Sequence, residues 1–421
     1  MNQPPQRILK DLFQTVLSAA MPEGKMASFL PKEPPKGKTI VLGAGKAAAS
    51  MAAELERIYP FPIEGMVITR YQHGEPTKYI EVIEASHPVP DQNGTQAALK
   101  LYEWAKSATE DDLVIFLVSG GASALMALPA QGITLEDKKY ITRQLLASGA
   151  PIEEMNIVRK HLSAIKGGRL AQIAAPAHVL TLAISDVVGD DFSAIGSGPT
   201  VPDPSTFADV TTILNKYNIN IPESVKNYLS SDTQAKETPK QLTNTEAHLI
   251  VTPQKAFLAT QEAARNMGLN VLFLGDALTG EARHVAAVHA GIAHQIKMHD
   301  TPVSKPALIL SGGETTVTVT GENGRGGRNA EFLLALAIEL KGMDNVYAIA
   351  CDTDGIDGSE DNAGAMIGPD TLQRASEQLN LIASDFLAKN DAYTFFSYLD
   401  DLVVTQPTRT NINDFRAILI L

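Results

Sequence analysis

Short apolar runs alternate with amphipathic stretches along this chain, and few folds accommodate that order. Thr39–Gly45, Gly65–Arg70, Leu113–Gly121 and Val179–Asp186 are such runs in the first part. His248–Pro253, Val271–Asp276, Ala307–Gly313 and Val346–Asp354 are such runs in the second. Between them Lys46–Ile58, Gly94–Ala105, Glu281–Lys297 and Ala330–Leu340 have helical spacing. Near-continuous apolar strands separated by helices predict an α/β architecture with mostly parallel sheets. The 421 residues exceed one typical core. A polar, aperiodic stretch around residues 230–245 marks the expected boundary. Residues 1–240 are therefore expected to form a Rossmann-like N-terminal domain and residues 241–421 a smaller α/β domain, with a ligand cleft between them. Ahead of the first strand, Met1–Gly24 reads as one amphipathic helix.

In such sheets ligands sit beyond the C-terminal ends of strands, so the residues there carry the chemistry. Two segments echo one another, FLVSGGASAL at Phe116–Leu125 and LILSGGETTV at Leu308–Val317. Each apolar run stops at Ser-Gly-Gly, which predicts two loops of bare backbone N–H groups, Ser119–Gly121 and Ser311–Gly313, suited to anions. The turn after the first strand, GAGKAA at Gly43–Ala48, resembles a dinucleotide fingerprint with Ala in the third glycine position. The second strand ends in Arg70, where a ribose-binding acid belongs. Lys46 follows Gly43 and Gly45 at a strand end, placed to reach a phosphate or, alternatively, to be a solvated lysine at a helix start. Arg325 and Arg328 lie among glycines in GRGGRNAEF, and Lys166 lies in the cationic VRKHLSAIKGGRLA. Two acidic loops, with Asp186, Asp190 and Asp191 in one and Asp352, Asp354 and Asp357 in the other, suit Mg²⁺ or turn formation and helix capping.

Other classes lack support. The net charge of -13 argues against nucleic acid and anionic membranes. One cysteine, Cys351, excludes a disulfide framework and fits the cytoplasm. No apolar run approaches the roughly 18 residues of a membrane span. There is no Walker A loop, because Gly37-Lys38-Thr39 precedes a strand and position 32 is Lys.

Taken together, GAGKAA, SHPVPDQNG, LVSGGASALM, VRKHLSAIKGGRLA, ISDVVGDDFSAIGSGPTVPDPSTFADV, LSGGETTVTV, GRGGRNAEF, CDTDGIDG and PTRTNINDF give the chain a resemblance to the glycerate 2-kinase family. Its C-terminal half is called the MOFRL domain. Departures are few: Ala330 stands where the family has Gln, and QPTRTN, with Arg409, replaces a glycine-rich segment. The resemblance implies transfer of the γ-phosphoryl group of ATP to the 2-hydroxyl of D-glycerate, with Mg²⁺. Lys46 and Arg328, with Arg325 as second candidate, are expected to meet the phosphoryl group or the glycerate carboxylate. Asp190 is expected as metal ligand or base, with Asp186 and Asp354 as further metal candidates. Gly43, Gly45, Ser119, Gly120, Gly121, Ser123, Lys166, Ser311, Gly312, Gly313, Glu314 and Asn329 complete the expected substrate- and nucleotide-binding set. Some relatives are named hydroxypyruvate reductase, so NAD(P)H-dependent reduction is the alternative, and a non-catalytic sugar-acid sensor is another. The expected partners are small molecules, acting on a monomer or homodimer.

Overall fold

The computed structural model describes residues 3–230, 236–320 and 324–421, so residues 231–235 of the polar stretch lie outside the described residues. The chain forms two compact units: Pro22–Ile250, and Met1–Met21 together with Val251–Leu421. This division departs from the expected 1–240 and 241–421 in two ways. The second unit begins ten residues later, and it also claims the N-terminal helix α1 (Pro5–Ala20). Ile8, Leu9, Leu12, Phe13, Val16, Leu17 and Ala20 are buried along one stripe of α1. That stripe packs on strands and a helix formed from the second half of the sequence. The Phe13 and Phe415 rings lie 5.5 Å apart, and Thr410 Oγ1 donates to the Ala20 carbonyl at 2.7 Å. An amphipathic pattern reports that a face is buried and leaves its partner open.

The Pro22–Ile250 unit is built on a six-stranded sheet of β1 (Thr39–Ala44), β2 (Ile63–Arg70), β3 (Ile80–Ala85), β4 (Leu113–Val118), β5 (His178–Ile184) and β6 (Thr245–Val251). The spatial order is β3-β2-β1-β4-β5-β6, and β3 through β5 pair in parallel. This is the doubly wound order whose direction of winding reverses between β1 and β4. Both of those strands are buried along their whole length, as continuous apolar runs require. Around the sheet lie α2 (Ala48–Ile58), α3 (Gln92–Lys106), a single turn α4 (Ala122–Leu125) and α7 (Arg169–Ala174). A separate apolar cluster joins α5 (Leu135–Ala147), α6 (Ile152–His161), α8 (Phe207–Lys216) and α9 (Glu223–Ser230). Thr134 with Asp137 and Thr206 with Asp209 form reciprocal capping boxes that start α5 and α8.

The other unit holds α10 (Pro253–Asn266), α11 (Ala282–His299) and α12 (Arg328–Leu340) with a seven-stranded sheet. Its strands are β7 (Asn270–Phe273), β8 (Leu278–Glu281), β9 (Ala307–Thr316), β10 (Val346–Asp352), β11 (Gly364–Ile367), β12 (Leu402–Val403) and β13 (Asp414–Ile420). The order is β12-β11-β10-β13-β9-β7, with β8 also on β9. This sheet is mixed: β7 and β8 run parallel to β9, whereas β13 is antiparallel to both β9 and β10. The predominance of parallel pairing expected from the alternating pattern therefore holds in the first sheet. Apolar runs fix burial, and strand direction follows from connections that periodicity does not encode.

The docking of α1 supplies a stability test. Phe13→Ala leaves a void against Phe415 and is expected to cost about 3 kcal/mol or more. Denaturant unfolding of the full chain should show this loss. A cost near zero would mean that α1 is not packed against β13.

Candidate active site

At the switch point the β1 and β4 turns lie against one another so closely that side chains are excluded. A Cβ on Gly43 would lie 2.4 Å from the Leu117 carbonyl oxygen, and one on Gly45 would lie 2.1 Å from Ser119 Oγ. The turn's amides are also spoken for. Gly45 N–H donates to the Ile68 carbonyl at 3.0 Å, Lys46 N–H to that of Gly120 at 2.8 Å and Ala47 N–H to Ser119 Oγ at 2.9 Å. Ala48 N–H closes the turn on Gly45 at 3.1 Å. The fingerprint-like glycines thus serve strand packing, and the turn offers no row of open donors to a pyrophosphate.

The Ser119–Gly121 turn is different. Among the described residues, no hydrogen bond uses the amide of Gly120 or Gly121. Gly121 is left-handed, with φ 81°, and a Cβ there would come 3.0 Å from His87 Cδ2 and 3.4 Å from Lys46 Cγ. Two backbone donors, an imidazole and a lysine stem therefore share one strand-end loop. Behind it, Ser123 Oγ lies 2.8 Å from Lys166 Nζ and 2.8 Å from Ser197 Oγ, and Lys166 also donates to the Ser123 carbonyl. Asp186 and Asp190 follow β5, both partly exposed, with Asp190 in a left-handed turn at φ 58°. Two such carboxylates fit Mg²⁺, which takes one or two from protein and the rest from phosphate and water. Among the described residues, no group of three or more His, Cys, Asp or Glu forms a preassembled metal cage.

In the other unit, Ser311, Gly312 and Gly313 do not form the expected loop. They lie inside β9, paired with Arg416, Phe415 and Asp414 of β13. The glycines make room: a Cβ on Gly312 would lie 2.4 Å from the Phe257 ring, and one on Gly313 would lie 2.2 Å from the Leu278 carbonyl oxygen. Ser311 is buried, with its hydroxyl 2.9 Å from His289 Nε2, while His289 Nδ1 lies 2.8 Å from the Val285 carbonyl. That carbonyl fixes the proton on Nδ1, so Nε2 accepts from Ser311. Burial pushes the imidazole pKa down to about 4, so it is neutral here.

Arg328, at the start of α12, is held by three carboxylates. Its Nε donates to Asp414 at 2.7 Å, Nη2 to Asp352 at 2.8 Å and Nη1 to Glu314 at 3.1 Å. Burial works against the charge, yet Asp414, Asp352 and Glu314 outweigh it and raise its pKa well above the ordinary arginine range. Asp414 also pairs with the fully buried Arg416 and accepts from Asn329 Nδ2 at 2.8 Å. Of the three carboxylates on Arg328, only Glu314 has an exposed side chain (55%), so the Nη1 edge is where an incoming anion can exchange.

Asn329 is buried: its backbone amide and that of Ala330 donate to Asp357 at 3.0 and 2.8 Å, capping α12, while its Oδ1 has no hydrogen-bond partner among the described residues. Asp354, a candidate metal ligand, is buried and accepts from its own turn through Ile356 N–H at 2.8 Å. Arg325 is exposed, pairs with Glu360 at 2.6 Å and covers the Tyr393 ring. Asp414 and Arg416 were absent from the expected set. Their signal is the period of two in DFRAILI, which puts acid and base on one face of β13.

Comparison with known proteins places these features in a family. Residues 8–230 match the domain of unknown function DUF4147, and residues 307–414 match the MOFRL family. The chain is 49% identical over 418 residues to an Agrobacterium vitis protein named for hydroxypyruvate reductase, covering 99% of this chain and 94% of that one. It is 39% identical over 414 residues to the D-glycerate 2-kinase of Thermotoga maritima, covering 97% of each. The crystal structure of the T. maritima glycerate kinase superposes with a TM-score of 0.88 over 99% of each chain, at 38% identity.

The buried His289–Ser311 pair predicts a pH dependence. The unfolded imidazole titrates near 6.5 and the folded one near 4, so its stabilising contribution is complete above 6.5 and is lost as pH falls toward 4. The loss is about 3 kcal/mol. His289→Gln should flatten the melting temperature over that interval relative to the parent. Parallel curves would show that His289 titrates normally.

The ordered motifs, the shared fold and the full-length identity agree: the chain belongs to the glycerate 2-kinase family, with DUF4147 over its first half and MOFRL toward its C-terminus.

Proposed function

We propose that this protein transfers the γ-phosphoryl group of ATP to the 2-hydroxyl of D-glycerate, giving 2-phosphoglycerate and ADP. The observation that carries the reading is the strand-end loop at the switch point, where the open amides of Gly120 and Gly121 meet Lys46, in a chain with full-length kinase relatives. Phosphoryl transfer needs positioning and charge neutralisation more than covalent chemistry, and open amides beside a lysine supply both. Lys46 and the two amides take the oxygens of the moving group. Asp186 and Asp190 are the residues to hold Mg²⁺, which when bound neutralises phosphate charge. Asp190 is also a candidate acceptor of the glycerate hydroxyl proton. Arg328 offers its Nη1 edge to an anion in exchange for Glu314 and helps to keep Asp414 ionised. The single, buried Cys351 suits a cytoplasmic enzyme.

The names of the A. vitis relatives favour the second reading, reduction of hydroxypyruvate by NAD(P)H. The satisfied amides of the Gly43–Ala48 turn argue against it. Incubation with ATP, MgCl₂ and D-glycerate, with the product identified by phosphorus NMR, tests the first reading. Incubation with NADH and hydroxypyruvate tests the second. Reductase turnover without ADP formation would replace the kinase assignment. Glycerate-induced thermal stabilisation with neither activity would point to a sensor.

Single variants address the roles. Lys46→Ala should lower kcat/KM on the order of 100-fold with little change in melting temperature. Arg328→Ala removes the cation that Asp352 and Asp414 share, leaving two buried carboxylates with less compensation, so it should also be destabilised by about 3 kcal/mol or more. Near-normal kcat/KM in Lys46→Ala would remove that residue from the reaction.

A further inference from the structure

Buried cations normally face carboxylates, and among the described residues one cluster in the Pro22–Ile250 unit does not. Lys138 of α5 is buried, and its Nζ has no hydrogen-bond partner among the described residues. Lys166 is buried as well, and its partners are the neutral hydroxyl and carbonyl of Ser123. Arg159 of α6 is partly exposed and donates to the neutral Asn156 at 3.4 Å. The neighbouring Arg169 is consumed by the carbonyls of Lys160 and Lys236 at 2.8 and 2.7 Å. Burial depresses both lysines, Lys138 to about 7 and Lys166 well below the usual range, and the surrounding cations depress them further. Arg159 acts on both lysines, Arg169 on Lys138, and Lys138 on Lys166.

A cluster of like charges held by neutral groups is costly in isolation and is relieved by an anion. We propose that Lys138, Arg159 and Lys166, together with the Ser123 hydroxyl, form a subsite for a phosphate group. A bound anion favours the protonated form of both lysines, and three cations and a hydroxyl then match a dianionic, many-oxygen group better than a single carboxylate. Arg159 and Ser123 are both partly exposed, so two members of the cluster are in reach of solvent. In a protein of net charge -13, such a cluster is a local positive focus that attracts one kind of ligand. That the phosphate belongs to a nucleotide or to a phosphorylated hydroxy acid rests on the kinase reading; the existence of the subsite does not.

Calorimetric titration of the full-length protein with ATP, 2-phosphoglycerate, inorganic phosphate and D-glycerate, each alone, tests the proposal. Lys138→Met and Arg159→Gln should each weaken binding of at least one phosphate-bearing ligand on the order of 10-fold or more. D-glycerate binding should be unchanged. Loss confined to ATP assigns the subsite to the nucleotide, and loss confined to 2-phosphoglycerate assigns it to the product. The ligand-free Lys138→Met protein should melt no lower than the parent, because a buried amine without a hydrogen-bond partner among the described residues has been removed; a purely structural lysine would give a lower value. Unchanged affinity for every phosphate compound in both variants, or loss for D-glycerate alone, overturns the proposal. If Lys138→Met does not fold, Arg159→Gln decides. Should the enzyme form no ADP, the inorganic phosphate titration still reads the subsite directly.

Discussion

Charge taken out of water has to be answered, and each unit of this protein is arranged around one such obligation. In the unit that carries the MOFRL match, Arg328 and Arg416 are answered by Asp414, Asp352 and Glu314. The acids come from β9, β10 and β13 and the bases from α12 and β13, so the ion network ties the strands to the helix. Removing one member leaves buried partners with less compensation, so the charges of the network depend on one another. In the other unit Lys138, Arg159 and Lys166 have no comparable acid in contact among the described residues, and an incoming oxyanion can complete their charge balance.

The two Ser-Gly-Gly segments show how identical local sequence takes opposite roles. After β4 the strand ends, the backbone turns left-handed at Gly121, and two amides remain available. In β9 the strand continues through the glycines because β13 and β8 hold it on both sides. The missing side chains there admit Phe257 and the β8 backbone instead of a ligand. The same logic applies to Gly43 and Gly45, whose likeness to a dinucleotide fingerprint comes from strand contact at the switch point. Glycine in a strand-end motif reports close approach; what approaches is a separate question.

Much of the architecture was legible. The apolar runs match strands β1, β2, β4 through β7, β9 and β10, and the helical stretches match α2, α3, α11 and α12. Lys46, Gly120, Gly121 and Ser123 were picked out as strand-end residues, and they do share one loop region with Lys166 behind them. Asn329 and Asp354 were legible as polar residues near strand and helix ends; the folded chain places Asn329 at the capped start of α12 and Asp354 in a turn that its carboxylate helps to form. Asp414 and Arg416 sit in a strand that reads as apolar apart from those two residues.

The amino-acid sequence by itself determined which segments are strands and helices, because periodicity and capping are local properties of a few neighbouring side chains. It also determined the family, through many motifs in a constant order. Tertiary structure decided the allegiance of α1, the mixed pairing around β13, and which amides and cations have partners. Those outcomes depend on distances between residues far apart in the chain, such as Ala20 and Thr410 or Arg328 and Asp414. No local pattern specifies such a distance; only the closed packing of the folded chain does.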